Sequence, residues 1–263
     1  MRLFFYGEGL RFLDKIRLNY RPNYQPIQIT FKDRPLFLAD ADSFLGAYKE
    51  IFLDQVYAFS SSTDEPVIVD CGANIGLATI FFKLLYPRSR VLAIEADPKI
   101  VELLRKNIAS FDFRDVEVIH AAVWNTDAPV AFAVEGGASG HIAAPTEFSA
   151  STIVPAWRLK GRLQEKIDFL KLDIEGAEYD VLEDCREELR WVENIFVEYH
   201  SAADSKQTLA RVLSILSDTG FRYHVREALT SPPHPFLEQD LLGRMDLQLN
   251  IYGCRARADS PQS

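Results

Sequence analysis

The pattern of apolar and polar positions divides the chain into a mixed front part and a regular remainder. Before residue 65, residues 28–31 and 36–38 read as two short strands around the turn Lys32-Asp33-Arg34-Pro35. Between Asp42 and Phe59, the apolar Phe44, Leu45, Tyr48, Ile51, Phe52 and Val56 recur at the spacing of one helix face, which predicts a helix. Ser60-Ser61-Ser62-Thr63-Asp64 is a polar linker. From Pro66 onward, short β-branched runs alternate with helical patterns. Strands are expected at 67–69, 91–94 and 116–123, and helices at 75–86 and from the Asp97-Pro98 start to about 109. This β-α-β-α-β order is the mark of a parallel, doubly wound sheet.

Further along, 130–134 reads as a strand and Gly136-Gly137-Ala138-Ser139-Gly140 as a flexible loop. A strand at 167–172 runs into Asp173-Ile174-Glu175-Gly176 and a short helix through 182, and another strand comes at 194–198. Asp204 is expected to cap a helix that stops at Gly220, and 221–225 and 246–252 form the last strands. The segment 227–245, with Ser231-Pro232-Pro233-His234-Pro235, reads as an ordered loop or lid. The expected division is an N-terminal α+β cap over 1–62, a catalytic domain over 63–255 and a flexible tail over 256–263.

Composition narrows the class. The chain has 263 residues, of which 48% are hydrophobic and 25% charged, so a disordered chain, a collagen and a disulfide-rich miniprotein are excluded. The net charge of −9 and pI of about 5.1 speak against nucleic-acid and anionic-membrane binding, which need basic surface. No apolar run is long enough for a membrane span, and the N-terminus lacks a secretion signal, so a cytoplasmic enzyme is expected. Cys71, Cys185 and Cys254 lack metal-ligand spacing and are expected to be buried apolar residues in a reducing compartment.

The most informative segment is Val67-Ile68-Val69-Asp70-Cys71-Gly72-Ala73-Asn74-Ile75-Gly76: a strand, a glycine turn and a helix start. Gly72 is expected to let a ligand approach the main chain, and Gly76 to let the helix pack closely on the strand. Glu95 ends the next strand, where a carboxylate accepts hydrogen bonds from both hydroxyls of a ribose. A dinucleotide site prefers G-x-G-x-x-G, whereas here Asp70 would repel a pyrophosphate and suits a cationic ligand. S-adenosyl-L-methionine is therefore favoured. The rivals are a nicotinamide-dependent oxidoreductase or epimerase, which would need a third glycine and a proton relay not found here, and a non-catalytic cofactor-binding protein.

Taken together, Asp70-Cys71-Gly72-Ala73-Asn74-Ile75-Gly76, Glu95, Lys171-Leu172-Asp173-Ile174-Glu175-Gly176-Ala177-Glu178 and Val197-Glu198-Tyr199-His200 resemble the FkbM family of S-adenosylmethionine-dependent methyltransferases. The resemblance covers roughly residues 40–225. It implies a class I methyltransferase fold, a Rossmann-like, mostly parallel sheet of seven strands whose last strand is antiparallel. It also implies O-methylation of a hydroxyl on a natural product or sugar. By the same resemblance, Gly72, Ala73, Asn74 and Gly76 line the methionine part, with Asp70 near its ammonium group. Glu95 holds the ribose, Ala96 and Ala122 flank the adenine, and Asp173 faces methionine or substrate.

An alcohol acceptor needs a base near the moment of attack. Asp173, Glu175 and Glu178 after the fourth strand, and Glu198 and His200 at the fifth, are expected to converge. His200 is the preferred base because an unperturbed imidazole is mostly neutral at pH 7. Glu198 and Glu175 are the other catalytic candidates, and Glu178 reads as a helix cap or salt-bridge partner. No metal ligand set is visible in the spacing. Tyr57, on the expected helix before the first catalytic-domain strand, either covers the methionine end or is a core aromatic. His141 and His120 read as solvated and structural, respectively.

Overall fold

The computed structural model describes residues 10, 18, 26–134, 140–142, 151–228, 234, 236–237 and 245–255. The glycine loop at 136–139, most of the 227–245 segment and the tail at 256–263 lie outside the described residues. The chain opens with a hairpin, β1 (Ile27–Phe31) and β2 (Arg34–Leu38), followed by helix α1 (Ala41–Tyr48). Asp40 caps α1, accepting from the Ser43 amide. The expected helix does not continue to residue 59. It loosens into one π-helical turn over Lys49–Leu53 and ends, so that Tyr57 lies in a turn.

Next come β3 (Val67–Cys71), α2 (Leu77–Leu85), β4 (Arg90–Glu95), α3 (Pro98–Ser110) and β5 (Val116–His120). The expected third strand breaks at Ala121. Its amide bonds to the Glu95 carbonyl at the end of β4, and the Ala122 amide turns to Pro155. The chain continues as β6 (Ala122–Trp124), paired in parallel with β10 (Ala156–Arg158) outside the main sheet. A side sheet contains β7 (Val130–Val134), β8 (Gly140–Ile142) and β9 (Ser151–Val154).

The chain then supplies β11 (Ile167–Leu172), α4 (Glu178–Asp184), β12 (Val192–Ala202), α5 (Leu209–Asp218), β13 (Phe221–Glu227) and β14 (Met245–Arg255). Strand β12 is longer than expected, because β14 pairs with it from Asn194 to Ala202. Helix α5 begins after Thr208, so Asp204 lies in a turn before it rather than at its cap; Gly220, at φ +89°, ends that helix region as expected.

The main sheet runs β13-β14-β12-β11-β3-β4-β5. Strand β14 is antiparallel to both neighbours and the other pairings are parallel. This is the class I methyltransferase order. The direction of winding reverses between β3 and β11, and ligands of such sheets bind beyond the carboxyl ends of the strands at that point.

One face of the sheet buries Ile68, Phe82 and Phe169 with the hairpin and α1. The other buries Val69, Leu170 and Val197 with α4 and α5. Asn107 of α3 ties the hairpin to the sheet domain. Its side chain accepts from the Phe37 amide and donates to the Phe37 and Ile75 carbonyls. Among the described residues, no helix is long and apolar enough to cross a membrane. Cys71 and Cys185 are buried, but Cys254 is exposed, because it occupies an outward position of β14.

Candidate active site

The turn after β3 carries three backbone conformations in the left-handed region: Gly72 (φ +78°), Asn74 (φ +51°) and Gly76 (φ +93°). A Cβ on Gly72 would lie 1.8 Å from the Asp173 carbonyl oxygen, so the neighbouring loop by itself already requires the glycine. A Cβ on Gly76 would lie 2.7 Å from Leu104 Cδ1, so this glycine serves the packing of α3, not the approach of α2 to its strand.

Glu95 ends β4 at the rim of one cavity. One carboxylate oxygen accepts from the Ala96 and Asp97 amides at 2.8 Å, and the other from the Asn74 amide at 2.9 Å. Burial raises its pKa and the three N–H groups oppose that rise. The carboxylate is thereby locked in place. The cavity beside it is lined by Ala96, Ala122, Phe132 and Ile142, and also by Gly72, Asn74 and Asp173.

Gly72, Asn74 and Asp173 also line a second cavity, closed on its far side by Asp40, Ser43 and Phe44 of the N-terminal segment. Tyr57 and Ala73 line it too. Tyr57 is at the same time a core aromatic, packed edge-to-face on Phe196 at 4.8 Å. The charged groups on this wall are Asp40, Glu50, Asp173 and Glu198 against Lys171 alone.

Asp70 stands behind this wall rather than in it. It is fully buried, accepts from the Thr79 hydroxyl at 2.7 Å and lies 3.4 Å from Lys171 Nζ. The expected contact with a ligand ammonium is thus taken by Thr79 and Lys171. Lys171 is the organising cation that sequence reasoning missed. Its ammonium donates to the Gly72 carbonyl at 2.8 Å and pairs with Asp173 at 3.0 Å. Burial works against its charge, but Asp173 and Asp70 outweigh it and hold the pKa above the usual lysine value. The signal was visible as a lysine inside the apolar run Phe169-Leu170-Lys171-Leu172. Glu50 was missed as well. It sits on the π-helical turn and accepts from Asn250 at 2.8 Å, and burial raises its pKa.

The third group surrounds His200. Nδ1 lies 3.0 Å from Glu178 Oε1, and Nε2 lies 3.6 Å from Glu175 and 3.9 Å from Glu198. Gln248 bridges Glu198 and His200. Burial lowers the histidine pKa, but Glu178, Glu175 and Glu198 outweigh it and push it up to about 10. The surrounding acids thus favour the protonated imidazole, while the Gln248 amide group lies 3.1 Å from Nε2, the nitrogen that faces Glu175 and Glu198. Glu178 is a positioning group, fixed by the Ile174 and Gly176 amides. Burial and Asp173 push Glu198 up, against the opposing pull of His200 and Lys171. Glu175 occupies the loop at φ +55° with its side chain 30% exposed. Ligand atoms of Asp173, Glu175 and His200 lie within 4.8 Å of one another, so a cation bound there would have to displace the histidine proton.

A further cleft, lined by Lys166, Asp168 and Glu193, lies at the amino ends of β11 and β12, away from these groups.

The FkbM methyltransferase domain model matches residues 70–223. The chain belongs to this methyltransferase family. It is 29% identical over 213 residues to Methyltransferase 1 of Beauveria bassiana, covering 71% of this chain and 84% of that protein. It is 27% identical over 156 residues to the 2-O-methyltransferase NoeI of Sinorhizobium fredii, covering 51% of this chain and 63% of that one. Among solved structures, M. jannaschii TYW2 in complex with AdoMet shares the fold, with a TM-score of 0.52 at 16% identity over 90% of this chain and 89% of that one. S-adenosylmethionine is the cofactor of this family and fold class.

Proposed function

We propose that the protein transfers the methyl group of S-adenosylmethionine to a hydroxyl oxygen of a small molecule. The locked Glu95 carboxylate, at the rim of a cavity that meets the methionine-side cavity through Gly72, Asn74 and Asp173, carries the reading. The donor set fits this cofactor. Glu95 suits the two ribose hydroxyls, and the apolar slot of Ala122, Phe132 and Ile142 suits a purine. The acid-rich wall of Asp40, Glu50, Asp173 and Glu198 suits a sulfonium and an ammonium group. Gly72, Ala73 and Asn74 border the methionine end, while Asp70 acts through Lys171. When bound, the cofactor supplies a methyl group already activated by positive sulfur.

The chain's own task is alignment, exclusion of water and removal of the acceptor proton. Glu175 is the group suited to the last step. It borders the cofactor cavity, is partly exposed and lies 3.6 Å from His200 Nε2, which holds it in place. The 2-O-methyltransferase relative supports oxygen as the atom methylated. The net charge of −9 supports a small molecule over nucleic acid as acceptor.

The experiment is calorimetric titration with S-adenosylhomocysteine together with transfer of labelled methyl groups to hydroxylated compounds. Binding of NAD in place of S-adenosylhomocysteine would overturn the cofactor assignment. Labelled product that survives conditions cleaving N-methyl but not O-methyl groups is the expected outcome.

A further inference from the structure

The N-terminal segment brings two carboxyl groups to the methionine-side cavity, and neither has a counter-ion. Asp40 borders the cavity at the start of α1 and is 3% exposed. One of its oxygens accepts from the Ser43 amide, and the other is buried without a hydrogen-bond partner. A buried carboxylate oxygen in that state is unfavourable until a ligand donor meets it. Glu50 borders the same cavity from the π-helical turn and accepts from Asn250 of β14 at 2.8 Å. The other charges at this wall are already matched. Lys171 lies 3.0 Å from Asp173 and 3.4 Å from Asp70. Glu198 meets Gln248 and lies 3.9 Å from His200, which Glu178 and Glu175 also surround at 3.0 Å and 3.6 Å. Among the described residues, neither Lys171 nor His200 pairs with Asp40 or Glu50.

Two unmatched carboxyl groups on one wall suit a ligand with two positive centres. The methyl donor has a sulfonium and an ammonium. The spent cofactor, S-adenosylhomocysteine, keeps the ammonium but has a neutral thioether, so this wall meets the two as ligands differing by one charge. The wall has a direction as well. Asp173 lines both this cavity and the Glu95 cavity, so a ligand held at its ribose by Glu95 reaches that junction with its sulfur before its amino-acid end. Glu50 is close enough to Asp173 and Glu198 for their charges to act on it, which places it on the junction side. Asp40 lies on the far side with Ser43 and Phe44. Burial alone favours the protonated Glu50 carboxyl, and a positive ligand group beside it favours the ionised one.

We propose that Asp40 and Glu50 are specificity-determining residues that read the charge of the cofactor, Glu50 at the sulfonium and Asp40 at the ammonium, so that the site holds the methyl donor in preference to S-adenosylhomocysteine. The inference rests on the methyltransferase function proposed for the Glu95 site. Once the carbon–sulfur bond has broken and its electron pair has stayed on sulfur, Glu50 faces a neutral thioether and no longer holds it. The N-terminal segment thereby favours exchange of spent cofactor for fresh donor.

The test titrates the full chain by calorimetry with S-adenosylmethionine, sinefungin, S-adenosylhomocysteine and methylthioadenosine. Sinefungin carries an amine where the donor has its sulfonium methyl, and methylthioadenosine has neither positive centre. S-adenosylmethionine and sinefungin are expected to bind at least about tenfold more tightly than S-adenosylhomocysteine. Glu50→Gln can still accept from Asn250 and should shrink that preference to about threefold or less, with methylthioadenosine unchanged. Asp40→Asn keeps the helix cap and should weaken S-adenosylmethionine and S-adenosylhomocysteine alike by about tenfold, again sparing methylthioadenosine. S-adenosylhomocysteine binding as tightly as the two charged probes, or a Glu50→Gln protein that keeps the full preference, overturns the sulfonium role. An Asp40→Asn protein with intact S-adenosylhomocysteine affinity, or with methylthioadenosine weakened to the same extent, overturns the ammonium role. Binding of none of the four probes to the parent protein would instead strike the cofactor assignment, so the two failures are told apart.

Discussion

His200 donates from Nδ1 to Glu178 Oε1 across 3.0 Å, and this contact determines the charge of the whole acidic cluster. Glu178 is 1% exposed and carries two loop amides on the same oxygen, so it cannot turn away from the ring. The histidine pKa, raised from 6.5 to about 10, means that the folded protein keeps a proton that the unfolded chain releases between those values. Its contribution to stability is complete below about pH 6.5 and is lost as pH rises toward about 10. Glu198, raised from 4.5 to about 8, has the same sign over its own window. Chemical denaturation as a function of pH should therefore show stability falling on the alkaline side. Glu178→Gln should cost about 1–3 kcal/mol in mildly acidic buffer and flatten the alkaline decline. A His200 resonance, assigned by its loss in His200→Asn, that titrates near 6.5 would show that His200 is not held as the cation.

Glu175 and His200 are expected to separate when each is changed. Glu175→Gln removes the proposed base and should reduce turnover by about a hundredfold or more, with S-adenosylhomocysteine affinity little altered. His200→Asn removes the neighbour that positions Glu175, 3.6 Å away, and its activity should persist at a lower level. A larger loss in His200→Asn than in Glu175→Gln would return the base to His200.

Much of the fold was legible because its signals are local. The Asp97-Pro98 helix start is observed, with Asp97 accepting from the Lys99 and Ile100 amides. The glycine turn and the acid at the next strand end set the doubly wound order. Pairings between distant segments leave no such local signal. Asp70 meets Lys171 across β3 and β11, and Asn250 of β14 holds Glu50 near the front of the chain. The charge on His200 likewise depends on Glu178, Glu175 and Glu198 arriving together, which no spacing along one strand reveals. Gly72 stands out in the sequence as a special position, but the atom that demands it belongs to Asp173.

That contact between Gly72 and Asp173 makes a strong expectation. Gly72→Ala would place a methyl group 1.8 Å from a backbone oxygen, at a positive φ that alanine disfavours. Either the turn or the Asp173 loop must move, and both border the cofactor cavity. We expect destabilisation of about 3 kcal/mol or more and loss of S-adenosylhomocysteine binding. Gly76→Ala carries the same backbone strain at φ +93° but meets only the ends of the Leu104 and Ile108 side chains, so it should cost less and retain binding. Thermal melts with and without S-adenosylhomocysteine give both quantities.

The N-terminal segment supplies the final test. Asn107 is fully buried and joins α3 to the Phe37 backbone and to Ile75, next to the glycine turn. Asn107→Leu keeps the branched shape but takes away the side-chain partner of one amide and two carbonyls, at about 1–3 kcal/mol for each left unpaired when buried. If the hairpin and α1 are a lid on the methionine-side cavity, as Asp40, Ser43 and Phe44 suggest, the variant should lose S-adenosylhomocysteine affinity as well as stability. Hydrogen exchange should then show the hairpin opening before the sheet. A single cooperative loss of all protection would instead make the segment an integral part of the catalytic domain, and its division at residue 62 would have no physical meaning.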